Sequence, residues 1–172
     1  FVNGAAFVDG KCYFATAGGF SDVYDTISNE FIDVPPGLEL TRADSTASLA
    51  VYGAKILAIG GRLPHHNVPL DTVLQYDTAH ANPEWTLLTT MSTGRNSPGS
   101  CIYNDQLYVF GGDTEDGEEH SCEVYDFVTD CWRLIAPMPG SGWVCEAVAY
   151  PGRIIVVGLE DDDWNDGLRL EA

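Results

Sequence analysis

An ordered set of residues recurs along the chain: a glycine pair closing an apolar run, a Tyr-Asp pair, then a large aromatic. The glycine pairs are Gly18-Gly19, Gly60-Gly61 and Gly111-Gly112. The Tyr-Asp pairs are Tyr24-Asp25, Tyr76-Asp77 and Tyr125-Asp126, and the aromatics are Phe31, Trp85 and Trp132. A fourth apolar run, Ile154 to Val157, ends at Gly158-Leu159, where the second glycine is replaced. The leading glycines lie 42, 51 and 47 residues apart. A period of that length confines the chain to repeat architectures, in which each unit buries its apolar faces only by stacking on its neighbours.

Within each unit the apolar pattern is that of strands, with no helical periodicity of useful length. Four short strands are expected per unit. The first is rich in small residues: Gly4 to Val8, Thr46 to Val51, Gly99 to Tyr103 and Ala147 to Tyr150. A tight turn follows at Asp9-Gly10, Tyr52-Gly53, Asn104-Asp105 or Pro151-Gly152. Asp-Gly supplies the positive φ that hairpin turns need. The second strand ends in the glycines, the third carries Tyr-Asp and the fourth the aromatic. Four-stranded sheets at this spacing predict an all-β propeller built of radial blades, whose crowding toward the axis calls for small side chains on one strand per blade. The Tyr and Trp positions offer large rigid rings to bury between blades. One domain spans 1–172, with units at about 4–41, 42–94 and 95–143 and a partial fourth at 144–172.

The charge narrows the choice of partners. Twenty-six acids against eight bases give a net charge of -18. Phosphate neutralisation by Lys and Arg underlies nucleic-acid binding, so nucleic acid is not expected as a partner. Anionic membrane surfaces are disfavoured for the same reason. The five cysteines, Cys12, Cys101, Cys122, Cys131 and Cys145, show no C-x-x-C spacing. They read as buried free thiols of a reducing, cytoplasmic compartment, with an inter-strand disulfide as the alternative.

The stretch Leu107-Tyr108-Val109-Phe110-Gly111-Gly112, followed by Val124-Tyr125-Asp126, Trp132 and Pro137-Met138-Pro139, resembles a kelch repeat. Equivalents in the other units extend the resemblance from Gly4 to about Gly158. The first unit departs from it, with Phe31 for Trp and two extra residues before its glycines. The resemblance implies a kelch-type propeller segment of three complete four-stranded blades plus a partial fourth. Propellers close with about 4 to 8 blades. The remaining blades are therefore expected in a longer chain or in a second copy, on an uncovered face around Tyr24 and Phe31 and another near Ile154 to Val157.

The resemblance further implies a non-enzymatic module that binds a partner protein or peptide through rim loops, as in kelch subunits that select substrates for ubiquitin ligases. No cofactor or metal is expected. The rim loops are those after the glycine pairs (62–71, 113–121 and 159–167) and those before the small-residue strands (35–45, 91–98 and 137–143). Arg42, Arg62 and Arg95 are candidates to grip an acidic partner segment; the alternative is that they pair with acids of the same chain. Trp143 is a candidate anchor, with packing under the rim as the alternative, and His65 and His66, in a rim loop, are further partner-binding candidates. Two acidic loops, Asp113 to Glu119 and Glu160 to Asp166, read as solvated and attractive to a basic partner. The second fails as a calcium loop, because its glycine is one place late and Ala172 stands where a bidentate Glu would be. A copper radical oxidase or a sugar epimerase on a kelch-like propeller is the enzymatic alternative.

Overall fold

The computed structural model describes residues 2–16, 19–35, 38, 46–63, 68–118, 120–138, 145–158 and 170–171. Every regular element among them is a strand. Blade 1 comprises β1 (Val2–Val8), β2 (Lys11–Thr16), β3 (Gly19–Asp25) and β4 (Glu30–Ile32). Blade 2 comprises β5 (Ser48–Tyr52), β6 (Lys55–Ile59), β7 (Thr72–Asp77) and β8 (Trp85–Thr90). Blade 3 is β9 (Gly99–Tyr103) and β10 (Gln106–Phe110), then a small hairpin of β11 (Asp113–Thr114) and β12 (Gly117–Glu118), then β13 (Cys122–Asp126) and β14 (Cys131–Ile135). The last sheet holds β15 (Cys145–Tyr150), β16 (Arg153–Gly158) and β17 (Leu170–Glu171). Each blade is an antiparallel meander in chain order, apart from the inserted hairpin.

The core lies between blades, not within them. Ile56 and Ala58 of β6 pack with Ala6, Val8, Tyr13 and Val23 of blade 1. Their neighbours Leu57 and Ile59 pack with Leu107 and Val109 of blade 3. A strand buried on both faces must be apolar at consecutive positions, which is why these segments read as unbroken apolar runs. Burying each such side chain contributes about 1.5–3 kcal/mol. The first strands of successive blades touch: β1 lies against β5, β5 against β9 and β9 against β15. Small residues allow that approach, and the Ser48 and Ser100 hydroxyls meet there at 2.7 Å.

The repeated aromatics close these interfaces. Tyr76 and Tyr125 are buried, and each ring sits about 5 Å from the aromatic of its own fourth strand, at 5.5 Å from Trp85 and 5.2 Å from Trp132. The indoles reach the preceding blade. Trp85 Nε1 donates to the Leu38 carbonyl (3.1 Å) and Trp132 Nε1 to Thr89 Oγ1 (3.1 Å). The Tyr-Asp pair also builds the turn after it. Asp126 Oδ1 accepts the N–H groups of Val128 and Thr129, both at 2.9 Å. The Thr129 bond, then one from the Gln106 amide at 2.8 Å, then that of Val128 hold its carboxyl below the usual carboxylate range. The Tyr125 hydroxyl donates to Asp130, which closes the turn in the left-handed region at φ 54°. Tyr24 makes the same bond to Asn29, at φ 62°.

Several expectations are refined. The turn of blade 2 falls at Gly53 and Ala54, with β5 running on through Tyr52 to pair with Lys55. Gly19 opens β3 opposite Thr16 instead of closing β2. The first blade also carries register shifts, at Asn3 in β1 and at Ser21 in β3. Cys101 and Cys122 are buried free thiols and Cys12 is half-buried, but Cys131 is exposed. Burial pushes the Cys101 thiol up to about 12.

The outer faces of the end blades differ from the inner ones. On blade 1, Phe7 and Phe31 are exposed, Phe31 at 67%. On the last sheet Val148, Tyr150 and Val157 are exposed. Ile154 and Val156 point the other way, into the interface with blade 3. The uncovered face there is therefore the Val148 and Val157 face, a correction to the run read from sequence.

Candidate functional site

At the ends of β6 and β10 two consecutive glycines turn the chain out of the sheet in left-handed conformations. The φ values are 64° and 95° at Gly60 and Gly61, and 55° and 93° at Gly111 and Gly112. Crowding adds a second reason for glycine. A Cβ on Gly60 would lie 2.3 Å from the Arg95 carbonyl oxygen, and one on Gly112 2.8 Å from that of Asn96. The loop before β9 is thus wedged against both bends. Its Arg95 carbonyl accepts from Gly61 N (2.8 Å), its Arg95 N–H donates to the Leu70 carbonyl (2.9 Å), and Ser97 N–H donates to the Thr46 carbonyl (3.0 Å). Loops before the first strand and after the second do share one rim, as strand alternation predicts.

Arg95 does not face solvent. It is fully buried and Glu123 is 1% exposed. The Arg95 Nε and one terminal nitrogen donate to Glu123 Oε1 (3.1 and 2.8 Å). The other terminal nitrogen donates to the carbonyls of Gly111 (2.8 Å) and Ser121 (3.0 Å), while the one on Glu123 also donates to Ser121 Oγ (2.6 Å). Glu123 Oε2 accepts from Ser92 N and Oγ (2.9 and 2.7 Å). Such a pair endures desolvation only because nearly every polar atom is satisfied. Of the two readings of Arg95, the geometry gives the intramolecular pair; a side chain enclosed on all sides offers nothing to a partner. Sequence reasoning missed Glu123. The available signal was an acid two residues before Tyr125, on the same inward face of an otherwise apolar strand.

The acidic segment after Gly112 is a hairpin, not an open loop. Asp113 and Asn96 exchange both backbone hydrogen bonds at 2.8 Å, which anchors the base of β11 to the loop of Arg95. Thr114 Oγ1 donates to the Gly117 carbonyl (3.0 Å) and accepts from Asp116 N (3.2 Å). Glu115 and Asp116 stand exposed at the tip. Arg62 is half-buried on the same rim, with its backbone bridged to Pro69. Arg42, His65, His66, Trp143 and the acidic run 160–166 lie outside the described residues.

Comparison with known proteins finds a match to the kelch motif over residues 94–139, the third unit. A kelch-like protein of Danio rerio is 35% identical over 47% of this chain and 13% of its own length. An F-box/kelch-repeat protein of Arabidopsis thaliana is 30% identical over 80% of this chain and 36% of its own length. A kelch repeat and BTB domain-containing protein of Horsepox virus is 34% identical over 62% of this chain and 20% of its own length. The chain thus spans between an eighth and about a third of the relatives it matches.

Proposed function

This chain belongs to the kelch-repeat proteins, and from that premise we propose that it is a protein-interaction module binding a partner peptide through its rim loops. The observation that carries this reading is the division of labour among its residues. Gly60, Gly61, Gly111 and Gly112 are consumed in the bends, Tyr76, Tyr125, Trp85 and Trp132 in interblade packing, Arg95 is locked on Glu123, and the braced acidic hairpin stands outward on the described rim. With a net charge of -18, the favoured partner segment is basic. The F-box and BTB names of the relatives favour a role as the substrate-recognition part of a ubiquitin ligase in the cytoplasm. The exposed outer faces of blade 1 and the last sheet are read as seats for further blades, in a longer chain or a second copy.

The test is binding of a lysine-rich peptide to the wild-type chain and to the double variant Glu115→Lys with Asp116→Lys. Both substituted side chains are exposed, so the thermal midpoint should hold. Binding should weaken in the variant and with added salt. Affinity indifferent to both would overturn the reading.

A further inference from the structure

Blade 2 departs from its neighbours at the end opposite the glycine bends. Its aromatic, Trp85, follows Tyr76 by nine residues, where Phe31 follows Tyr24 and Trp132 follows Tyr125 by seven. The turn between β7 and β8 is longer by those two residues, and it is braced. Thr78 N and Oγ1 both donate to the Ala54 carbonyl (3.0 and 2.8 Å), and Ala79 N donates to Asp77 Oδ1 (3.0 Å). The His80 ring is pinned across the turn, with Nδ1 2.9 Å from the Asn82 carbonyl oxygen and 3.2 Å from the Asn82 nitrogen. Beside the turn lies a polar hollow of about 230 Å³, whose lining includes Lys55, Asp77, His80, Glu84 and Thr86. Every residue of that lining is described.

A charged cross-strand row runs past this hollow, and its counterparts show what it lacks. In blade 1 Lys11 pairs with Asp25 and Asp25 with Glu30. In blade 2 Lys55 pairs with Asp77, and Glu84 adjoins Asp77 because the next pair along is Tyr76 with Trp85. Carboxylates set opposite one another repel. In blade 1 the N–H groups of Ile27 and Ser28 and, in smaller part, the Lys11 charge hold Asp25 below the usual carboxylate range. In blade 3 the second acid is replaced by Cys131, and the Gln106 amide donates to Asp126. In blade 2 the Lys55 ammonium turns aside to Gln75 Oε1 (3.0 Å). Asp77 and Glu84 are thus left side by side, and among the described residues no cation bonds to either.

We infer that the hollow seats the guanidinium of an arginine on a partner protein segment. A cation there relieves the repulsion between the two carboxylates. A metal ion does not suit the lining, since among the described residues no three metal-ligating side chains stand close enough to share one. An ammonium is a compact point charge, whereas the planar guanidinium carries five donors and suits two carboxylates with a neighbouring hydroxyl, here that of Thr86. The chain already holds one guanidinium by a carboxylate, a hydroxyl and carbonyls, at Arg95. This seat goes beyond the proposed rim contact. Lys55 opens β6 and Gly60 follows its other end, so the two lie a strand length apart.

The experiment titrates three probes into the full chain at low salt: N-acetyl-argininamide, N-acetyl-lysinamide and the neutral N-acetyl-citrullinamide. The NMR signals of the His80 ring and the Thr86 methyl group report on the hollow. The arginine probe should move both and bind about fivefold more tightly than citrulline, with lysine between them. Glu84→Gln, at an exposed position, should abolish the preference for arginine without lowering the thermal midpoint. The rim variant Glu115→Lys with Asp116→Lys should leave it intact. Equal binding of arginine and citrulline, or a preference that survives Glu84→Gln, would overturn the seat. Lysine binding as tightly as arginine would overturn its assignment to a guanidinium. A preference lost in the rim variant and kept in Glu84→Gln would move the arginine contact to the rim, so this inference would fall while the rim reading stood.

Discussion

At the Gly111-Gly112 bend a guanidinium fills the corner, held by Glu123, Ser121 and two carbonyls. At the Gly60-Gly61 bend the same backbone lies beside Leu63, Leu70 and Leu74. The two corners share register, glycine conformation and position in the blade. Among the described residues they differ most at Glu123 against Leu74. A charged side chain at that place demands a complete shell of partners, so it draws the preceding loop inward and seals the corner. An apolar one makes no such demand, and Leu74 is only half-buried. The comparison separates what the repeat fixes, the bend, from what each copy chooses, the side chain beside it.

The largest expected effect comes from breaking the sealed corner. Glu123→Leu leaves Arg95 buried without its counter-charge and should destabilise the chain by about 3–5 kcal/mol, read as a lowered urea midpoint. Adding Arg95→Met makes the pair apolar and should recover most of that loss, since an apolar pair of similar volume is commonly neutral or better. If the double variant is as unstable as the single one, the two residues are not an energetic unit.

The bend itself should be less tolerant than the other turns. Gly60→Ala places a side chain in a left-handed conformation, with its Cβ 2.3 Å from a backbone carbonyl that is itself hydrogen-bonded. A cost of about 1–3 kcal/mol for the strain alone is expected. Gly53→Ala is the control: its φ is 60°, but nothing lies within 4 Å of the added carbon. The thermal midpoint should fall further for the first than for the second. Equal losses would mean that conformation, not crowding, selects glycine at the bend.

This contrast also marks how far the sequence could be read. The strands were legible because burial on two faces leaves unbroken apolar runs, as from Ile56 to Ile59. Gly60, Gly111, Tyr125 and Trp132 were legible because each repeats. Glu123 was not, because its partner lies 28 positions away and the acid at its place, matched by Asp22 in the first unit, is Leu74 in the second. Arg95 was noticed as scarce charge, but sequence alone does not tell an inward arginine from an outward one. The β11–β12 hairpin was concealed by its acidic composition, which suggests open loop unless the bridge from Asn96 to Asp113 is known.

A smaller effect tests the Tyr-Asp turn of the sealed blade. Tyr125 is 3% exposed and its hydroxyl donates to Asp130. Burial first, then the Asp130 bond and charge, push its pKa from 10.0 up to about 12. A raised acid pKa means the neutral ring is favoured by folding. Its stabilisation is whole below pH 10 and is lost as pH rises through about 12. Tyr125→Phe should cost about 1 kcal/mol at neutral pH and should flatten the alkaline decline in stability. An unchanged slope above pH 10 would assign that decline to other groups.

The smallest effect belongs to the same tyrosine position where no blade covers it. Tyr24 donates to Asn29 at 2.6 Å, as Tyr125 does to Asp130, and its ring packs edge-on to Phe31 at 5.2 Å. Yet the bond is exposed, so water competes for both groups. Tyr24→Phe should therefore change stability by less than about 0.5 kcal/mol. Covering blade 1 would bring Tyr24 to the condition of Tyr125, because the two positions are equivalent in the repeat. The substitution should then cost more in any longer chain that places a blade on Phe7 and Phe31. Urea titrations of Tyr24→Phe in the 172-residue chain and in such an extended chain measure the difference directly. An equal, negligible loss in both would show that no blade seats on that face.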